Sequence, residues 1–296
     1  MKEFLQNSYK FFRLLCIIWV SIIAVNFGLA FGIKEFTNSV YYKFKKIEEK
    51  SVLVMGDSHP ECAINNKLMG MQYLSLCKSG EPLFYTAVKA DKVLSSVAID
   101  TVIVEVGLNA FKSIDWVLGD EHALRQFKKY GALLNSSQHQ FLFDHIPSKY
   151  FKGLFSITPV EVAYYALNAD GGYNHLVAEI NKSKLVTKAD QNQDENRYAD
   201  SLQEYNSKAL FQLIQKHPKT YFILITCPVY PGYYSAESNT AFAEKISAQA
   251  KQNSNCTYKS FSDLPLADSC FADRGHLNFK GAKIFSKVLR NYLELR

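Results

Sequence analysis

Short apolar runs bounded by turn residues recur along the chain after residue 50. They predict five strands, at residues 51–55, 73–77, 100–106, 220–227 and, most weakly, 255–261. Several of these runs are apolar almost throughout and stop at a Gly or Pro, as at Gly56, Gly107 and Pro228. This pattern is typical of strands buried on both faces, so we expect a parallel sheet.

Helical periodicity fills the intervals between these strands. It predicts helices at residues 86–96, 198–216, 240–252 and 280–295. The last has an apolar stripe at helical spacing, formed by Ile284, Phe285, Val288, Leu289, Tyr292 and Leu293. Strands that alternate with helices predict an α/β fold, a three-layer sandwich around a parallel sheet with right-handed crossovers.

One stretch interrupts the alternation. Residues 110–197 separate the third strand from the next predicted helix and include a Gly171-Gly172 pair and a polar final part, residues 182–196. We interpret this stretch as a largely helical insertion into the α/β domain.

The N-terminus has the pattern of a membrane segment. Leu14 to Ile33 is a run of 20 residues without a charge, which as a helix spans about 30 Å, the hydrocarbon thickness of a bilayer. A signal peptide cleaved after Gly28-Leu29-Ala30 is the alternative, but its apolar region would be shorter. We therefore predict a membrane anchor at 1–33, a juxtamembrane linker at 34–50 and the α/β domain at 51–296.

Composition narrows the class of protein. The 296 residues are 48% hydrophobic and 21% charged, as in a packed globular protein, and a net charge of +6 spread along the chain does not favour a nucleic-acid partner. Six cysteines are too few for a disulfide scaffold, and the sequence does not decide whether Cys256 and Cys270 form a disulfide.

The side of the membrane is a separate question. By a simple count, the lysines on both sides of the anchor would keep the domain in the cytoplasm, but long domains cross membranes largely regardless of charge.

Candidate chemistry lies at the predicted strand ends, where open α/β sheets bind ligands. Ser58, in Gly56-Asp57-Ser58-His59, follows the first strand at a predicted helix start, which is a suitable place for an exposed nucleophile. Asp273 precedes His276 by three residues, so its carboxylate can orient the imidazole. Taken separately, both motifs are also compatible with ordinary helix caps.

Two further strand ends offer hydrogen-bond donors. Gly80 follows the second strand with a backbone N–H, and Asn109 follows the third with a side-chain amide. Such groups can stabilise an oxyanion, although Gly and Asn are also common in turns.

The ordered set of Ser58, Gly80, Asn109 and the Asp273–His276 pair resembles the SGNH (GDSL-like) hydrolase superfamily. The resemblance covers about residues 50–110 and 220–296 and omits the insertion. It departs at Ala110, where the family's third block usually has Asp. The resemblance implies a flavodoxin-like fold, a Ser58–His276–Asp273 triad, and an oxyanion hole of Ser58, Gly80 and Asn109.

The same resemblance implies a serine esterase or O-acyltransferase that forms an acyl-serine intermediate and needs no cofactor. With an anchor at residues 14–33, we expect an extracytoplasmic domain acting on acyl, especially O-acetyl, esters of a cell-envelope glycan. A polytopic membrane protein that delivers the acyl group is the expected partner if the reaction is acyl transfer. A lipid-directed esterase and a noncatalytic glycan- or partner-binding protein are the alternatives.

Weaker candidates surround this set. His59 could line the pocket or only begin a helix, and Tyr230, Tyr233 and Tyr234 could stack on a sugar or only stiffen a Pro-rich loop. The insertion histidines lack ligand spacing, so no metal site is predicted.

Overall fold

The computed structural model describes residues 2–41, 51–70, 72–111, 129–155, 171–181 and 204–295. Five parallel strands form one sheet, in the order β2-β1-β3-β4-β5. The strands are β1 (Val52–Met55), β2 (Tyr73–Ser75), β3 (Thr101–Glu105), β4 (Tyr221–Thr226) and β5 (Cys256–Ser260). The predicted parallel sheet is confirmed, and its order is that of flavodoxin-like folds.

Nine α-helices lie in the described parts of the chain, together with 3-10 turns at Leu108–Phe111, Gly131–Leu133 and Asp268–Cys270. The helices are α1 (Lys2–Tyr41), α2 (Ser58–Ala63), α3 (Asn66–Met69), α4 (Leu83–Leu94), α5 (Ser136–His145), α6 (Pro147–Phe155), α7 (Glu204–Lys216), α8 (Ala236–Lys251) and α9 (Phe279–Glu294).

Alternation along the strands divides the core between the two faces of the sheet. Leu53, Val102 and Leu224 point to one face, where they pack against α4, α7 and α8. Their neighbours Val54, Ile103 and Ile225 point to the other, where α2, α3 and α9 cover them. These two helical layers and the sheet make the predicted three-layer sandwich.

The first helix carries the candidate membrane span. Within α1, Gln6–Val25 has a mean hydropathy of 1.8 and is not buried against the rest of the protein. It is the one helix of the described chain that is long and apolar enough to cross a membrane, by length and composition alone. It overlaps the predicted span from Leu14 onward, and α1 runs past Ile33 to Tyr41, into the predicted linker.

The described parts of the predicted insertion are only partly helical. Helices α5 and α6 pack on α4 through Leu142 and Tyr150, and Tyr130, which precedes them, joins the same cluster. Residues 171–181 form neither helix nor strand and are held by distant backbone partners: Asn174 donates to Glu61 O at 2.7 Å, and Ile180 donates to Phe271 O at 2.9 Å. The predicted polar stretch at 182–196 lies outside the described residues.

Candidate active site

The first strand ends in a turn that only glycine fits. Gly56 has φ +147°, and a Cβ there would lie 2.7 Å from Pro60 Cγ and 2.9 Å from Glu105 Cβ. Asp57 then caps α2, because its Oδ1 accepts the His59 backbone N–H at 2.8 Å. Ser58 is thereby the first residue of α2, where a backbone N–H has no acceptor within the helix.

Folding brings Ser58 to a histidine 218 positions away in sequence. His276 Nε2 lies 2.8 Å from Ser58 Oγ, and His276 Nδ1 lies 2.9 Å from both carboxylate oxygens of Asp273. The Asp273 carboxylate also accepts the backbone N–H groups of Gly275 and His276, at 2.8 and 2.9 Å. This hydrogen-bond order, hydroxyl to imidazole to carboxylate, is the arrangement that makes a serine nucleophilic.

Each of the two ionisable groups of this relay favours the charged form of the other. Burial opposes ionisation of the Asp273 carboxyl, but its hydrogen bond and charge interaction with His276 outweigh that effect and lower its pKa. Burial also disfavours the imidazolium, yet Asp273, with smaller contributions from the Asp57 and Glu61 charges, raises the pKa of His276 above its ordinary value. The imidazole is therefore a stronger base than an isolated histidine.

Gly80 lies in a tight turn beside the loop that carries Ser58. Glu81 N donates to Lys78 O at 3.0 Å, and Gly80 has φ +70°, the conformation that a type II turn requires at this position. Lys78 N donates to Gly56 O at 3.0 Å, so the turn adjoins the loop that carries Ser58. We call residues 78–81 the Gly80 turn.

Buried carboxylates hold the Gly80 turn on both sides. Ser79 N–H donates to Glu61 Oε2 at 2.8 Å, and the Ser79 hydroxyl donates to the same oxygen. On the other side, Glu81 forms an ion pair with Lys89 at 2.8 Å, and both side chains are almost completely buried. Glu81 also accepts hydrogen bonds from Thr86 and from Tyr130 of the insertion.

Asn109 contacts Asp57, the residue before Ser58. Asn109 Nδ2 lies 3.0 Å from Asp57 Oδ2 and 3.0 Å from His59 Nδ1, while its Oδ1 accepts the Tyr234 hydroxyl at 2.8 Å. These contacts orient the Asn109 amide, with its NH2 group toward Asp57 and its oxygen toward Tyr234. One Nδ2 hydrogen serves Asp57, and the direction of the second depends on the tautomer of His59.

The weaker candidate residues, His59 and the three tyrosines, take different positions relative to the site. His59 is buried, with its ring centroid 5.1 Å from that of His276. Tyr233 lies 6.5 Å from His59, centroid to centroid, whereas Tyr230 is partly buried and packs edge-on against the core residue Phe271. Tyr234 offers no exposed face for stacking on a sugar, because it is buried and donates to Asn109.

Sequence reasoning missed the residues that support the site. Asp57 was expected only as a cap, yet it contacts both His59 and Asn109, while Glu61 holds the Gly80 turn. Glu105, at the end of β3, is buried with Oε1 accepting the Gly107 N–H at 2.7 Å. Burial, followed by the nearby Asp57 charge, raises the pKa of Glu105 well above its ordinary value. The sequence does carry a signal for Glu105, because an acidic residue within an otherwise apolar run is unusual for a buried strand.

Thiols and histidines elsewhere form no further centre within the described ranges. Cys256 and Cys270 are separate buried thiols, and burial raises the pKa of Cys256 to about 12. The described residues contain no group of three or more His, Cys, Asp or Glu side chains arranged to hold a metal ion. Among the insertion histidines, His139 bonds with Tyr150, at 3.0 Å, and His122 lies outside the described residues.

Comparison with known proteins gives structural likeness at low sequence identity. No protein-family model and no curated protein matches the chain. A Streptococcus pneumonia protein assigned as a platelet activating factor is 15% identical, with a TM-score of 0.46, over 94% of this chain and 99% of its own. A Bacteroides fragilis protein assigned as an acylhydrolase is 11% identical, with a TM-score of 0.39, over 83% of this chain and 88% of its own. A carbohydrate esterase whose active site has divergent catalytic and non-catalytic binding functions is 10% identical, with a TM-score of 0.37, over 84% of this chain and 66% of its own.

Proposed function

We propose that this protein is a serine esterase or O-acyltransferase of SGNH type that acts through an acyl-Ser58 intermediate. The observation that supports it most is the continuous hydrogen-bond relay from Ser58 Oγ through His276 to Asp273, at 2.8 and 2.9 Å. A noncatalytic binding protein has no need of a serine hydroxyl held by a histidine whose pKa a carboxylate raises.

The first half-reaction forms the acyl-enzyme. Ser58 Oγ attacks the carbonyl carbon of the ester while His276 Nε2 takes the hydroxyl proton and Asp273 stabilises the resulting imidazolium. The backbone N–H groups of Ser58 and Gly80 and the amide of Asn109 hold the oxyanion. The bond between the carbonyl carbon and the alcohol oxygen then breaks, and His276 returns its proton to the leaving alcohol.

The second half-reaction releases the acyl group. Water attacks the acyl carbon, His276 takes a proton from it, and the carbon–Oγ bond breaks as that proton returns to Ser58. A carboxylic acid leaves. If a sugar hydroxyl attacks in place of water, the same proton transfers give a new ester. No cofactor takes part in either route.

The proposed substrate is an O-acyl, especially O-acetyl, ester of a cell-envelope glycan. A helix that could anchor the chain, Gln6–Val25, would keep the domain beside the membrane, and we place the domain on the extracytoplasmic side. In the acyl-transfer route, a polytopic membrane protein would supply the acyl group.

Acetate release from acetylated glycans tests this proposal. The full chain in detergent micelles should release acetate, and Ser58→Ala should abolish the release while keeping the wild-type circular dichroism spectrum. Transfer to an added glycan would identify the acyltransferase route. A folded wild type that releases and transfers no acetyl group would favour the binding-protein alternative.

A further inference from the structure

Residues 171–181 lie against three separate parts of the candidate site, and we call this segment the clasp. Its first contact is with α2, the helix that begins at Ser58. Asn174 N donates to Glu61 O at 2.7 Å. The last turn of a helix leaves carbonyl groups without donors of its own, so the clasp pairs a carbonyl that α2 leaves open three residues after Ser58.

The second contact is with the backbone that leads from β2 into the Gly80 turn. A Cβ at residue 171 would lie 2.8 Å from Cys77 N and would collide with Cys77 O. The absence of a side chain at Gly171 is therefore what lets the two backbones meet. Because Cys77 directly precedes the Gly80 turn, the clasp begins packed against the chain that carries a proposed oxyanion donor.

The third contact is with the hairpin that carries Asp273 and His276. Phe271 and Leu277 close this hairpin through an isolated antiparallel bridge. Ile180 N donates to Phe271 O at 2.9 Å. The clasp is thus bonded to the base of the hairpin from which the two relay residues extend.

The start of α9, which follows the hairpin, also contacts the clasp. Phe279 N donates to Leu176 O at 2.8 Å, and the His175 ring stacks on the Phe279 ring with centroids 5.2 Å apart. The side-chain amide of Asn278, a fully buried residue, donates to Ala178 O at 3.1 Å. Because these residues of α9 and its cap come directly after the hairpin, the clasp holds the hairpin at both of its ends.

We propose that the clasp positions Ser58 for catalysis by fixing α2 relative to the hairpin. This inference rests on the proposed function. Ser58 Oγ and His276 Nε2 lie 2.8 Å apart, yet they belong to residues 218 positions apart in sequence, and the clasp bonds to the segments of both. The contact between His276 and Asp273 lies within the hairpin and does not depend on the clasp. Gly171 and His175 are then positioning residues.

Two neighbouring glycines test the clasp. Gly171→Ala should lift the clasp from the Cys77 backbone, whereas a Cβ at residue 172 meets nothing within 4 Å, so Gly172→Ala is the matched control. In the full chain in detergent micelles, the maximal rate of Ser58 labelling by a fluorophosphonate should fall about tenfold in Gly171→Ala, because misplaced catalytic groups lose rate steeply. Gly172→Ala should keep the wild-type rate. The loss is partial because α9 also packs directly on α2.

A second set of variants acts on the exposed side of the clasp, where folding is not at risk. His175 is exposed, and His175→Ala removes the ring that stacks on Phe279, so labelling should slow severalfold. His175→Phe keeps a stacking ring and should recover the wild-type rate. Val177→Ala is the control, since Val177 is 70% exposed. If Gly171→Ala does not fold, the His175 variants decide alone.

The kinetics distinguish positioning from a loss of stability. Labelling is measured at a temperature at which circular dichroism shows each variant to be folded, so a variant that is only less stable would keep the wild-type maximal rate. The reagent concentration that gives half of the maximal rate should not change. The acidic limb of the pH dependence should also stay in place, because Asp273 contacts His276 within the hairpin.

The possible outcomes separate the clasp from the proposed function. A wild-type maximal rate in His175→Ala, or in folded Gly171→Ala, overturns the clasp while Ser58 of the wild type is still labelled. An equal loss in Gly172→Ala or Val177→Ala, or an acidic limb that moves, also overturns it. If Ser58 of the wild type is not labelled, the proposed function itself fails.

Discussion

Ser79 donates both its backbone N–H, at 2.8 Å, and its hydroxyl to a single oxygen, Oε2 of Glu61. Glu61 lies on α2 one turn after Ser58, so the helix that begins at Ser58 also holds the Gly80 turn. One carboxylate therefore couples two parts of the candidate site that come from different strand ends.

Removing that carboxylate should slow the reaction of Ser58. In Glu61→Ala the Gly80 turn loses both hydrogen bonds, so the rate of fluorophosphonate labelling should fall about tenfold, somewhat less than loss of an oxyanion donor itself. Glu61→Gln keeps an acceptor oxygen and should recover most of the rate. Glu244→Ala, an exposed acid on α8, is the control. Equal rates for wild type and Glu61→Ala would show that the turn is held without Glu61.

The pH dependence of labelling should report the His276–Asp273 interaction. Because Asp273 raises the pKa of His276, and only the neutral imidazole accepts the Ser58 proton, wild-type labelling should fall as the pH drops through a value above that of free histidine, about 6.5. In Asp273→Asn the burial of His276 is no longer opposed by that charge. The acidic limb should move to lower pH and the maximal rate should fall. An unmoved limb would exclude His276 as the titrating base.

The Tyr234–Asn109 hydrogen bond should matter for both stability and labelling. Tyr234→Phe leaves the buried Asn109 Oδ1 without this donor, which should cost about 1 kcal/mol in the free energy of unfolding. The Asn109 amide would also lose its fixed orientation, and labelling should slow severalfold. Tyr258→Phe, which removes the hydrogen bond with Thr226 on β4, should cost similar stability and leave labelling unchanged. Equal labelling in the two variants would remove Asn109 from the oxyanion hole.

Glu105 should make the protein less stable as the pH rises. Its folded-state pKa is raised, so above the unfolded-state pKa, about 4.3, the unfolded chain releases a proton that the folded protein keeps. Stability from this group is complete below that value and is lost as the pH approaches the folded-state pKa. Glu105→Gln has no such proton, so its Tm advantage over wild type should grow from pH 5 to pH 8. A constant difference would mean that Glu105 is ionised in the folded protein.

The strands were predictable because their signal is local. All five begin and end within two residues of the predicted bounds, and three of them, β1, β3 and β4, are short apolar runs closed by a turn residue. Helix starts were less accurate: α8 begins at Ala236 after the Ser235 cap, four residues before the predicted start. The path of residues 171–181 had no local signal, because its partners, such as Glu61 and Phe271, are distant in sequence.

The candidate site likewise has a part that local sequence signals predict and a part that they do not. Ser58, Asp273 and His276 were found as motifs because helix-capping geometry and three-residue spacing are local properties, and the structure places them in contact. The Ser79–Glu61 and Tyr234–Asn109 hydrogen bonds join side chains that only tertiary packing brings together. No pattern in a single sequence records such pairs.

The most direct test of the central claim, that Ser58 is an activated nucleophile, is intact-mass spectrometry of the full chain in detergent micelles after treatment with a fluorophosphonate. We predict one adduct on the wild type and on the exposed-serine control Ser95→Ala, and none on Ser58→Ala or His276→Ala. A folded wild type that stays unmodified, or an adduct that persists in Ser58→Ala, would contradict the account.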